Sequence, residues 1–126
     1  MARILLVEDD VDVRPLLEHI LKIEARYDVV AVESVANALA LLEEQPFDLV
    51  VTDVNLPDGS GLRVADKAKA KGLRALVFTG HGLSLSPGAL ADYDYLLKPL
   101  HAREFLEAVR VRLPRGTSEV VPFRRS

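Results

Sequence analysis

The sequence predicts an α/β fold: a doubly wound, five-stranded parallel sheet with helices on both faces. Three observations carry this. Short apolar runs alternate with segments whose apolar residues recur at helical spacing, and alternating βαβ patterns imply a parallel sheet. The runs are continuously apolar, as in strands covered on both faces. Four of them deliver a polar or charged group at the carboxyl end, where open α/β sheets bind ligands. Val7 is followed by Glu8, Asp9 and Asp10, Thr52 by Asp53, Phe78 by Thr79 and Leu97 by Lys98.

Arg3 to Val7 reads as the first strand. Val13, Leu16, Leu17, Ile20 and Leu21 then mark one apolar face of a helix. Asp10 or Asp12 can cap it, and Pro15 is tolerable because it falls in the first turn. Val29 to Val32 is the second strand. Ser34 can cap a helix over Ala36 to Glu44, with Leu39 and Leu42 inward and Pro46 beyond its end. Asp48 to Thr52 is the third strand.

A loop dense in turn residues follows Asp53, from Val54 to Gly61. Leu62 to Lys71 is the next helix, closed by Gly72, with Lys67, Lys69 and Lys71 on a solvated face. Leu73 to Phe78 and Asp94 to Leu97 are the fourth and fifth strands. The last helix runs from about His101 to Leu113, with Phe105, Leu106, Val109 and Leu113 inward. Pro114 and Gly116 stop it.

The bulk properties describe one domain. A chain of 126 residues buries roughly two thirds of its unfolded surface, enough for a core without cross-links. It has no cysteine, hence no disulfide framework and no thiolate metal site. A net charge of −3 makes no electrostatic case for nucleic acid or an anionic membrane. The first apolar run stops at three acids and is too short for a signal peptide or membrane span. A cytoplasmic location is the expectation. Residues 1–113 form the expected domain and 114–126 a flexible tail.

Right-handed crossovers leave few topologies. In the flavodoxin-like order, 2-1-3-4-5, strands one and three are neighbours, which brings Glu8, Asp9 and Asp53 together. Clustered carboxylates are hard to ionise together without a cation. All-oxygen ligands suit a hard divalent ion, and Mg²⁺ binds few carboxylates plus a phosphate. Lys98 adds a positive charge and Thr79 a hydroxyl. Phosphoryl transfer needs mainly positioning and charge neutralisation, and a carboxylate can itself be the nucleophile.

These residues together resemble the signature of a response-regulator receiver domain of two-component signalling. The signature is the acidic pair after strand one, Asp53 with its Leu56-Pro57-Asp58-Gly59-Ser60-Gly61-Leu62 loop, Thr79 after strand four, and Lys98-Pro99 after strand five. The resemblance covers residues 2 to about 113. It implies that Asp53 is the phosphoacceptor, that Asp9 binds Mg²⁺ directly and Glu8 through water, and that the Asn55 carbonyl is a further ligand. It implies that Lys98 pairs with the phosphoryl oxygens and that Thr79 moves to hydrogen-bond them. Tyr95 matches the aromatic switch residue, and Lys98-Pro99 the family's cis peptide. Asn55 and His81 take the positions that flank the path of attacking water, so His81 is a candidate for tuning dephosphorylation. Pro57, Gly59 and Gly61 shape the loop around Asp53.

The stretch between Thr79 and Lys98 is shorter than the family usually shows, so the fourth helix is expected to be short or irregular. The residues after the last helix are too few for an output module. The expected partners are therefore a histidine kinase or histidine phosphotransfer protein and a downstream protein, with the chain a stand-alone receiver, monomeric or weakly dimeric. It would take part in its own phosphorylation and autodephosphorylation without turning over an external substrate. The alternative is a phosphorylation-independent interaction module on the same fold. A flavodoxin-like enzyme would need a phosphate-binding loop, and Gly59-Ser60-Gly61 and Gly80-His81-Gly82 are too short for one.

Overall fold

The computed structural model describes residues 1–80, 88 and 90–114. Its elements in chain order are β1 (Arg3–Val7), α1 (Val13–His19), a π-helical turn (Ile20–Glu24), β2 (Asp28–Val32), α2 (Val35–Glu44), β3 (Leu49–Asp53), β4 (Asn55–Leu56), β5 (Gly59–Ser60), α3 (Leu62–Ala70), β6 (Arg74–Thr79), β7 (Asp94–Leu97) and α4 (Ala102–Arg112). The main sheet is parallel, in the order β2-β1-β3-β6-β7. This is the predicted 2-1-3-4-5 order with the sequence's five strands in their places.

Side chains alternate across a strand, and the two faces of the sheet carry separate cores. Ile4, Leu6, Val51, Leu76 and Phe78 meet Leu17, Leu21, Phe105 and Val109 from α1, the π turn and α4. Leu5, Val7 and Val50 meet Val35, Ala38, Leu42, Val64 and Ala68 from α2 and α3. Phe78 and Phe105 are fully buried, each stabilising the fold by about 2–3 kcal/mol through the apolar area it removes from water.

Several local expectations change. Leu16, placed on the inward face of the first helix, is 57% exposed. Leu17, Ile20 and Leu21 take the sheet-facing positions, and Leu16 lies about 100° round the helix from Leu17, where it borders a surface groove with Pro99 and Leu100. Leu39 and Leu106 are half-buried at the margins of the two cores, and Val35 and Ala38 supply the inner face of α2 with Leu42. The loop after Asp53 contains a short antiparallel hairpin, Asn55↔Ser60 and Leu56↔Gly59. The three lysines assigned to solvent do lie at the surface and make surface contacts there: Lys67 pairs with Glu43 at 2.6 Å. Lys69 lies over the Tyr93 ring and donates to the Asp92 carbonyl at 3.3 Å.

The segment expected to hold a shortened fourth helix falls mostly outside the described residues, as does the tail beyond Pro114. Among the described residues, no helix is long and apolar enough to cross a membrane.

Candidate functional site

The strand order decides which residues meet. β1 and β6 flank β3, and β7 lies beyond β6, so the residues at their carboxyl ends share one rim. Glu8 follows β1, and its N–H extends the ladder to the Val32 carbonyl at 3.0 Å. Asp53 ends β3 and pairs with Phe78. Thr79 ends β6, and its carbonyl accepts the Lys98 N–H at 2.8 Å. One carboxylate oxygen from each of Glu8, Asp9 and Asp53 lies within 4.8 Å of the others.

Glu8 and Asp53 are buried, whereas Asp9 is exposed. Lys98 bridges the two buried acids: its Nζ donates to Asp53 Oδ2 at 2.9 Å and to Glu8 Oε1 at 3.2 Å, and it sits 5.3 Å from the Phe78 ring centroid. Glu8 Oε2 accepts the Asp10 N–H at 3.0 Å. Burial pushes the Glu8 carboxyl above its ordinary pKa, and the Asp53 charge adds to this, against the opposing pull of the Asp10 N–H and Lys98. Burial works to lower the pKa of Lys98, but its two carboxylate partners outweigh it and hold the ammonium above its usual value. The result is a charge-dense site, buried at Glu8 and Asp53 and open to solvent at Asp9.

Asp10 stands apart from the cluster. Its Oδ1 accepts the N–H groups of Asp12 at 2.8 Å and Val13 at 3.0 Å, which makes it the cap of α1 and lowers its own pKa. Asn55 donates its N–H to Asp53 Oδ1 at 3.2 Å. The loop presses so closely on Asp53 that a Cβ on Gly61 would collide with the Asp53 carbonyl oxygen. Gly59 has φ +146, a conformation that side chains rarely adopt. Tyr95 lies on edge strand β7 and is 47% exposed. The Lys98–Pro99 peptide is cis. His81 lies outside the described residues.

Some contacts were not anticipated. Arg14 Nη1 donates to the Glu8 carbonyl at 3.1 Å. Thr52 Oγ1 donates to the Asp53 carbonyl at 2.9 Å. Asp58, from the hairpin tip, takes two N–H groups of α2. A basic residue five positions after Asp9 was a visible sign of the first. The Asp58 contact joins residues more than twenty apart and has no local sign.

The arrangement has the donor set of a hard-cation site, and comparison with known proteins agrees. The sequence pattern of the response regulator receiver domain matches residues 4–110. The chain belongs to that family. It is 35% identical over 118 residues to the response regulator receiver protein CpdR of Brucella abortus, covering 90% of this chain and 98% of that one. It is 36% identical over 116 residues to the response regulator protein FleR of Pseudomonas aeruginosa, covering 86% of this chain but 24% of that one. Among solved structures, the response regulator TrrA of Thermotoga maritima, in complex with Mg²⁺ and BeF, superposes with a TM-score of 0.79 at 30% identity. That match covers 90% of this chain and 100% of TrrA. A CheY-like receiver domain from Methanospirillum hungatei gives a TM-score of 0.78 at 30% identity, covering 88% and 92%. The chain is thus a receiver domain of a two-component response regulator, a signalling module. Its Glu8, Asp9 and Asp53 cluster fits the receiver Mg²⁺ site.

Proposed function

We propose that this receiver is a switch driven by phosphorylation of Asp53, with a histidine kinase or histidine phosphotransfer protein as donor. The observation that carries the reading is the Lys98 bridge. An ammonium 2.9 Å from one Asp53 oxygen, with two further acids within 4.8 Å, suits a carboxylate that must accept a charged group. Asp9 and Asp53 would bind Mg²⁺ directly, Glu8 through water, and the Asn55 carbonyl would complete the protein ligands. Bound Mg²⁺ supplies neutralisation of the acids and of the incoming phosphoryl oxygens.

In the transfer, an Asp53 carboxylate oxygen attacks phosphorus, the P–N bond of the donor phosphohistidine breaks, and its electron pair returns to the imidazole nitrogen. Lys98 exchanges its carboxylate contacts for the phosphoryl oxygens. Thr79, at the end of β6, moves to donate its hydroxyl to them, and Tyr95 turns inward from its exposed position on β7. That exchange of local contacts presents a changed face to a downstream protein. Leu16, exposed in a groove that Lys98 and Pro99 also line, offers the donor an apolar footing. His81 tunes the hydrolytic lifetime of the phosphoryl group. Residues 1–113 form the receiver unit.

The test is intact mass after incubation with phosphoramidate, a small donor with a P–N bond, with and without Mg²⁺. One phosphoryl group is expected on the wild type with Mg²⁺ and none on Asp53→Asn. Wild type that stays unmodified beside a control receiver that is phosphorylated would favour a phosphorylation-independent interaction module.

A further inference from the structure

The hairpin that carries Asn55 cannot hold its own shape. It has two residue pairs, Asn55↔Ser60 and Leu56↔Gly59, and such small ribbons are unstable in water. Its turn is Pro57-Asp58. The twist-matched hairpin turns need positive φ at the first turn position, which proline cannot adopt, and the positive φ falls on Gly59 instead. Something outside the hairpin must fix it. Leu56, buried against the α2–α3 core, is one anchor.

Asp58 is the other. Its two carboxylate oxygens accept the N–H groups of Val35 at 2.8 Å and Ala36 at 2.9 Å. These are groups at the start of α2 that the helix itself cannot satisfy. Ser34 caps the same helix from within by accepting the Asn37 N–H at 3.1 Å. α2 has no acid in its own first turn, so the carboxylate that meets its positive end comes from the phosphoacceptor loop.

This contact closes a ring around the rim. Glu8 N–H bonds Val32 at 3.0 Å, and Val32 leads through Ser34 into α2. α2 holds Asp58, Asp58 holds the hairpin, and the hairpin places Asn55, whose N–H holds Asp53 Oδ1 at 3.2 Å. Lys98 joins Asp53 back to Glu8. The acids after β1 and the groups after β3 are therefore tied together on the side away from Lys98 as well.

We infer that Asp58 is a positioning residue for the metal site: by strapping the hairpin to α2 it sets the place of Asn55, and with it the site's affinity for Mg²⁺. The inference rests on the Mg²⁺ site proposed above. Contacts that orient metal ligands commonly change affinity by about 10–100-fold when removed.

The experiment compares Asp58→Ala, Asp58→Asn and Ser34→Ala with the wild type. Mg²⁺ is titrated into each and its dissociation constant read from backbone amide NMR shifts, with the dispersion of the spectrum reporting the fold. Asp58→Ala should weaken Mg²⁺ binding by about tenfold or more, with the Asn55 and Val35 amides shifted even before metal is added. Asp58→Asn, which keeps one acceptor oxygen, should fall between it and the wild type. Ser34→Ala removes the internal cap but leaves the strap, and should bind Mg²⁺ as the wild type does. A folded Asp58→Ala with wild-type affinity would overturn the strap alone. So would equal weakening in Ser34→Ala, which would assign the effect to α2 stability. A wild type that binds no Mg²⁺ would overturn the metal-site reading and the strap with it.

Discussion

Asp9 is the residue on which the electrostatic account turns. It is the exposed member of three acids whose oxygens lie within 4.8 Å of one another. Lys98 contacts the other two. Without a cation, the third carboxylate adds repulsion to a site where burial already holds Glu8 above its ordinary pKa. Asp9→Asn should therefore stabilise the metal-free protein. The expected gain is about 4 °C in Tm, which for a domain of this size corresponds to about 1 kcal/mol. Mg²⁺ should raise the Tm of the wild type, because it binds the folded state, and should do so much less in Asp9→Asn. Thermal melts with and without Mg²⁺ check this. A lower Tm for the metal-free variant, or an equal rise in both proteins, would contradict the repulsion.

The elements divide into a frame and the loops it carries. The frame was legible because each strand is a continuous apolar run and each helix a periodic one. Its order could be reasoned from crossover handedness. The acids were legible because they sit directly at strand ends, where sheet order alone brings them together. What escaped the sequence depends on contacts across chain distance. The Asn55–Ser60 hairpin has only two pairs and no alternation to betray it. Leu16 shares the helical spacing of Leu17, and only the packing of α1 shows which faces the sheet. The link between α3 and the chain entering β7 is of the same kind. There Tyr93 donates its hydroxyl to Asp66 at 2.7 Å, with Lys69 over its ring. The hydrogen bond to Asp66, with some burial and the nearby acids, pushes the Tyr93 phenol from 10.0 up to about 12. The folded state thus favours the neutral phenol. Its contribution is complete below about pH 10 and is lost as pH rises through about 12. The phenolate absorbance of wild type minus Tyr93→Phe should titrate with a midpoint near 12. A midpoint at the ordinary tyrosine value would show that the Asp66 contact does not persist in solution.

At the scale of the whole molecule, function follows from sheet order. With β1 beside β3 and β6 between β3 and β7, the carboxyl ends of four strands converge and two buried acids share one lysine. The helices on both faces exclude water from the strands, and the rim is left as the place where charge gathers. The receiver family shares this frame, and the proposed phosphorylation places the acyl phosphate on the Asp53 carboxylate. Borohydride reduces an acyl phosphate to an alcohol, so a phosphorylated aspartate becomes homoserine and its position can be read by peptide mass spectrometry. After incubation with phosphoramidate, homoserine is expected at position 53, dependent on Mg²⁺. Homoserine at Glu8's neighbours Asp9 or Asp10, or a phosphoryl group on any side chain other than Asp53, would contradict it.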